Sequence, residues 1–363
     1  MNERAKRPIE KAVSSPSMIR AAIALILIWV CLFGCSKGNG PQKSTQDTTG
    51  NKPPPDTGSY TFANGSDVSW VTQMESSGYA FYDSTGKATD LFKLLGSLGI
   101  NAIRLRAWVN PTGGWCNTTD LLAKALRAQN AGMSVMVDFH YSDTWADPGH
   151  QTPPAAWASL DFADLGSALY NYTVGVLDTL KQNGVTPAWV QVGNEVSNGM
   201  LWPDGEASTN MANFATLVQQ GYTAVKSVFP NCKVIVHLAN GYDNATYRWL
   251  FDGLQSNGAH WDVIGMSLYP SVSDWQSLDA QCLSNMQDMI SRYGSQIMVS
   301  EVGMEEDSAA TCEAFLEDII AKTKSVKGGL GVFYWEPEAY NWMGYGLGAF
   351  NSNGEPTVAL DAF

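Results

Sequence analysis

Basic residues are scarce in this chain of 363 residues. It carries 22 Lys and Arg against 35 Asp and Glu, a net charge of −13, which argues against nucleic acid or another polyanion as the partner. No CxxC spacing occurs among its six cysteines, so a zinc site is not indicated. No GxGxxG opens an early helix, which removes the main mark of an open, doubly wound dinucleotide-binding sheet. An apolar run that would span a membrane comfortably is also missing from the N-terminal region. Ala21–Phe33, "AAIALILIWVCLF", is too short for that and follows Arg4, Lys6, Arg7, Lys11 and Arg20, as the core of an export signal does.

That run leads into Leu32-Phe33-Gly34-Cys35, which resembles a bacterial lipobox with Cys35 as the lipidated residue. Residues 1–34 therefore read as a lipoprotein-type signal peptide. Residues 35–59 are rich in Gly, Pro, Ser, Thr, Lys and Gln and include Pro53-Pro54-Pro55. Such a segment cannot bury enough apolar surface to order itself, so it reads as a disordered tether. The expected location is the bacterial cell envelope or surface, membrane-anchored through the lipid. Export permits disulfides. Cys282 and Cys312 fall in successive helix-like segments and form the candidate pair, with free buried thiols as the alternative.

What the chain does hold is apolar and aromatic material. Hydrophobic residues make up 45% and include 13 Trp, enough for a large core with aromatic side chains left over for a cleft. From residue 60 onward, short Val- and Ile-rich runs alternate with amphipathic stretches. The runs begin at Asp67 ("DVSWV"), Ala102, Ser134, Ala188, Lys233, Asp262, Ile297 and Gly331. Apolar strands buried on both faces and separated by helices imply an α/β protein, a single (β/α)8 TIM barrel over 60–363. An open doubly wound sheet is the runner-up.

In such a barrel the working residues gather at the C-terminal ends of the strands. Unusual residues fall at those ends here: Arg104 and Arg106 on the second, Asp138 and His140 on the third, Asn194 and Glu195 on the fourth. His237 follows on the fifth, Tyr269 on the sixth, Glu301 on the seventh, and Trp335 with Glu336 on the eighth. A carboxylate is costly to bury without a purpose. Glu195 and Glu301 would face one another across part of the mouth. Two facing carboxyl groups are what glycoside hydrolysis requires, one giving a proton to the leaving oxygen and the other attacking the anomeric carbon or activating water.

Several longer segments narrow this reading. "GNEVSNGMLWP" (193–203) and "SEVG" (300–303) resemble the acid/base and nucleophile segments of glycoside hydrolase family 53, the arabinogalactan endo-β-1,4-galactanases of clan A. "RLRAWVNP", "DFHYSDTWADPGHQ", "VHLANG", "SLYP" and "GVFYWEPE" are similar to the same family in the same order. The resemblance implies a retaining mechanism with Glu195 as acid/base, Glu301 as nucleophile and Arg104 keeping Glu301 ionised. It implies sugar contact or support of Glu301 from His140, Asp143, Trp145, Asn194, His237 and Tyr269, and stacking faces from Trp202 and Trp335. The implied partner is β-1,4-galactan, cut by a monomer. A different β-1,4-glycan (mannan or glucan), or a surface glycan-binding lipoprotein without catalysis, are the competing readings. "GMEEDSAATCEAFLED" after the seventh strand is too short for the calcium loop of some relatives. No cofactor or metal is expected, although Glu305, Glu306 and Asp307 could hold calcium.

Overall fold

The computed structural model describes residues 61–363. The signal peptide, Cys35 and the tether read from the sequence lie outside the described residues. The chain starts with β1 (Ala63–Asp67), a short helix α1 (Val71–Ser76) and a two-stranded hairpin of β2 (Phe81–Tyr82) and β3 (Ala88–Thr89). Then follow α2 (Leu91–Ser97), β4 (Ala102–Ala107), α3 (Thr118–Asn130), β5 (Ser134–Phe139), α4 (Phe162–Gln182), β6 (Trp189–Val192) and α5 (Ala207–Val228). The second half adds β7 (Lys233–Leu238), α6 (Asn244–Ser256), β8 (Val263–Leu268), α7 (Trp275–Tyr293), β9 (Gln296–Val302), α8 (Ala309–Ser325) and β10 (Gly329–Trp335). Parallel pairing in the order β1-β10-β9-β8-β7-β6-β5-β4 closes an eight-stranded barrel.

Local chemistry supports each unit. β4 and β8 are buried at every position, as strands covered by helices outside and by a filled interior must be. Asp90, Asn117, Asp161 and Asp243 cap α2, α3, α4 and α6 by accepting the backbone N–H of Lys93, Asp120, Asp164 and Thr246. α7 stops at Gly294, whose φ of 63° suits a residue without Cβ.

The first strand differs from the sequence reading. It is "ANGSD" at 63–67, not "DVSWV" from Asp67, and Val68 and Val71 fill the core from the turn and from α1. β1 is small because it lies against a large neighbour. A Cβ on Gly65 would stand 2.2 Å from the Phe333 ring. The expected Cys282–Cys312 bridge is also corrected. Cys282 Sγ on α7 lies 4.0 Å from Met266 Sδ on β8, and Cys312 Sγ on α8 lies 3.6 Å from the Tyr334 hydroxyl on β10. The two thiols point at different strands. Cys116, Cys232, Cys282 and Cys312 are all free and buried.

Inside the barrel, Met136, Trp189, Ile235, Val263, Met298 and Phe333 make an apolar plug. Two residues further along the strands, the inward positions turn polar and carry Arg104, Asp138, Gln191 and His237. One irregularity matters for the site. Between Met266 and Ser267 the β8–β9 register shifts, so that Ser267 pairs with Glu301 and Ser300 is left as the extra residue. A bulge of this kind re-aims side chains. It brings Glu301 to the mouth beside Ser267.

Candidate active site

At the C-terminal rim the chain leaves several strands through left-handed backbone: φ is 51° at Tyr141, 45° at Glu195, 52° at Asn240 and 48° at Glu336. Such values are uncommon outside glycine and cluster at functional sites. The turn at Gly193 (φ 81°) and Glu195 ends β6 and swings the Glu195 carboxyl over the mouth.

An oxygen of Glu195, an oxygen of Glu301 and a ring nitrogen of His237 all lie within 4.8 Å of one another. Carboxyl groups set for a double displacement stand about 5–5.5 Å apart, whereas inverting sites leave about 6.5–9.5 Å for a water. An oxygen pair this close fits the first class. Both nitrogens of His237 are engaged, Nδ1 with Asn194 Oδ1 at 3.0 Å and Nε2 with the Ser267 hydroxyl at 2.8 Å. That leaves the histidine no free lone pair for a cation. Glu305, Glu306 and Asp307, the candidate calcium ligands, are exposed on a turn and do not converge on one point.

Arg104 organises the floor. Its Nη1 meets Asp67 at 2.8 Å, and Nη2 meets Asp138 and Glu301, each at 2.9 Å, and Asn194 Oδ1 at 2.8 Å. It is completely buried, so these are low-dielectric contacts in which one cation serves three carboxylates. The Tyr269 hydroxyl donates to the other Glu301 oxygen at 2.9 Å.

Burial raises the Glu301 carboxyl, Arg104 opposes it and the neighbouring Glu195 adds to the rise. Burial raises Glu195 too, with a hydrogen bond from Ser267 and then Arg104 opposing, and Asp147 and Asp138 adding. Two buried carboxyls this close do not both ionise readily, so the pair retains one proton. Its place follows from the contacts. Glu301 has a guanidinium on one oxygen and a phenol on the other, whereas no salt bridge reaches Glu195. These contacts favour Glu195 as the place of the proton, against the rise to about 8 that burial gives Glu301.

The histidines are neutral. Burial lowers both, His140 despite the pull of Asp138 and His237 further, with Arg104 adding. His140 Nδ1 accepts the Ala146 N–H at 3.1 Å, which fixes the proton on Nε2, donated to Asp138 at 2.9 Å. Burial works against ionised Asp138, yet Arg104 and His140 hold it below the usual carboxylate range.

The cleft above these groups encloses about 290 Å³ and is walled by Trp145, Trp335 and Tyr345. Trp145 comes from an irregular loop and is held from behind. The Arg106 guanidinium lies 4.2 Å from its ring centroid, and Trp70, Trp108 and Trp335 pack edge-on at 5.6, 5.1 and 5.8 Å. Arg106 in turn pairs with buried Glu336 at 3.0 Å.

Of the residues singled out in the sequence, Arg104, His140, Trp145, Asn194, Glu195, His237, Tyr269, Glu301 and Trp335 come together here. Two do not. Asp143 accepts the backbone N–H of Asn110 (2.8 Å) and Ala155 (2.9 Å), bracing its loop away from the cleft. Trp202 donates its indole N–H to the Asn198 carbonyl at 3.0 Å and does not line the cavity. Sequence reasoning missed Tyr345 and Leu347, which wall the cleft from a Gly-rich loop without periodicity, and Ser267, one hydroxyl in an apolar strand.

Comparison with known proteins agrees with the geometry. The sequence profile of "Glycosyl hydrolase family 53" matches residues 63–363. An arabinogalactan endo-beta-1,4-galactanase of Thermothelomyces thermophilus is 34% identical over 327 residues, 82% of this chain and 98% of that one. A solved structure of fungal beta-1,4-galactanases superposes with a TM-score of 0.77 at 33% identity, covering 84% of this chain and 98% of the other. The GH53 catalytic domain of Ignisphaera aggregans gives 0.74 at 31% identity, with 85% and 97% covered. A closed barrel, two facing carboxyls at retaining distance and a match across nearly the whole described chain lead to one assignment: this protein belongs to glycosyl hydrolase family 53.

Proposed function

We propose that the protein is a retaining endo-hydrolase of β-1,4-galactan, the backbone of type I arabinogalactan. The observation that carries the reading is the closeness of the Glu195 and Glu301 carboxyls, within 4.8 Å across the mouth. Glu301, ionised beside Arg104, attacks the anomeric carbon. Glu195 gives its proton to the departing oxygen, then takes one from the water that releases the glycosyl-enzyme. Trp145 and Trp335 offer flat faces to the C–H side of the galactose rings, and the named substrate of the relatives supports galactan over mannan or glucan. We also read the enzyme as a monomer, exported and held to the envelope by a lipid on Cys35. The basic and apolar segment before that cysteine supports the anchor.

The test is a substrate panel. Reducing ends should appear from β-1,4-galactan and not from β-mannan or cellulose. Glu301→Gly should lose turnover and, with azide and an activated β-galactobioside, yield the α-glycosyl azide. Equal turnover by wild type and Glu301→Ala rules out the assignment. Cys35→Ala should release the protein from the membrane fraction, and palmitate labelling should disappear with it.

A further inference from the structure

One buried ring touches every aromatic wall of the cleft. Trp70, in the turn between β1 and α1, is 7% exposed and does not itself line the cavity. Its ring centroid lies 5.6 Å from Trp145, 5.2 Å from Trp335 and 5.5 Å from Tyr345, at interplanar angles of 78°, 62° and 68°. These are T-shaped contacts, which fix the tilt of a ring as well as its place. The walls come from two separate stretches of chain, the loop after β5 and the end of β10 with the loop that follows it. Trp145 meets Trp335 at 5.8 Å and Trp335 meets Tyr345 at 5.0 Å. Among the described residues no other ring touches all three.

Trp70 is itself held from two sides. Its backbone N–H donates to Glu336 Oε2 at 3.1 Å. The other Glu336 oxygen pairs with Arg106 at 3.0 Å, and the Arg106 guanidinium lies 5.6 Å from the Trp70 centroid and 4.2 Å from that of Trp145. At the start of the turn, Asp67 Oδ1 accepts the Ser69 N–H at 3.0 Å and the Ser69 hydroxyl at 2.6 Å, while Oδ2 pairs with Arg104 at 2.8 Å. Arg104 also pairs with Glu301. The short turn from Asp67 to Trp70 thus runs from the guanidinium that holds the nucleophile to the back of the walls.

We propose that Trp70 is a positioning residue that holds Trp145, Trp335 and Tyr345 as one sugar-binding platform in register with Glu301. A wall that is rigid before the sugar arrives binds better, because a ring that must be ordered on binding gives up part of the contact. A ring buried behind three walls supplies that order without touching substrate. The proposal rests on the walls being sugar faces, as the galactanase reading has them.

The experiment is Michaelis analysis on soluble β-1,4-galactan of the full protein and its Trp70→Leu, Trp70→Phe and Trp145→Ala variants, with each Trp70 change also combined with Trp145→Ala. Trp70→Leu should raise KM about fivefold with kcat within about twofold, because Arg104 and Tyr269, which hold Glu301, stay as they are. Phe keeps a smaller ring for the same contacts and should raise KM about twofold to threefold, and it carries the test if Leu does not fold. In the double variants the rise should fall short of the product of the single rises, since one residue acts through the other. A KM unmoved in the folded Trp70 variants, a loss confined to kcat, a Phe variant no better than Leu, or double variants equal to the product overturns the proposal. Trp145→Ala separates the two levels. If its KM matches that of wild type, the walls are not sugar faces and the underlying reading of them fails whatever Trp70 does.

Discussion

Replacing Arg104 should move the acid limb of the pH profile, and the structure says which way and how far. The guanidinium stands 2.9 Å from one oxygen of Glu301. At an effective dielectric near 20, unit charges at that separation attract by about 6 kcal/mol, which the charge spread over both groups reduces. Carboxylates beside an arginine are commonly depressed by about 1–3 pKa units. Arg104 favours ionised Glu301, so its loss raises the Glu301 pKa further and removes the ionised nucleophile at a higher pH than before. The acid limb of kcat/KM should then shift upward by about 1–3 units, and each unit is tenfold in the ionised fraction below the pKa.

Arg104→Met strands three buried carboxyls, a loss of about 3–5 kcal/mol in comparable cases, so the kinetic variant is Arg104→Lys. A single ammonium cannot bridge Asp67 on one side and Glu301 with Asn194 on the other, as the two guanidinium nitrogens do. The assay is initial-rate reducing-sugar release from galactan between pH 4 and 9, with near-UV circular dichroism confirming the fold at each pH. A folded Lys variant whose rate drops equally at every pH, with the acid limb unmoved, refutes the claim that Arg104 sets the ionisation of Glu301.

Three further outcomes follow from the same contacts. Trp145→Ala should raise KM for galactan about tenfold with kcat nearly kept, because the ring offers a binding face and no proton; Michaelis analysis separates the two. Gly65→Ala forces a methyl into the Phe333 ring and should cost about 1–3 kcal/mol in urea denaturation, recovered in part when Phe333→Leu is added. Burial and the adjacent Asp318 push Asp279, on α7, up to about 8. A folded-state pKa above the unfolded value gives stability that is present at low pH and lost as pH rises through about 8. Wild type should therefore melt lower at pH 9 than at pH 6, and Asp279→Asn should flatten the difference in a thermal scan.

The seven strands from β4 to β10 were legible because each is a short apolar run between turn or helix signals, and burial on both faces demands that composition. β1 was not. Its face toward the interior is Gly65, and its bulk is supplied by Phe333 from the last strand, a pairing that sequence order hides. Glu195 and Glu301 stood out because a carboxylate at the end of an apolar strand has no structural excuse. Asp143 and Trp202 are polar or aromatic residues in the same rim loops, yet their bonds run to loop backbone, and composition cannot tell a brace from a contact. Ser267 owes its position to a register shift, and Tyr345 to the path of an irregular loop. Neither leaves a periodic trace.

The unpaired thiols give the barrel a built-in clock. Burial pushes Cys312 up to about 11 and Cys282 further still, so a water-soluble thiol reagent reacts with either only when the shell parts. Labelling at Cys282 and Cys312 would time the opening of α7 and α8 separately.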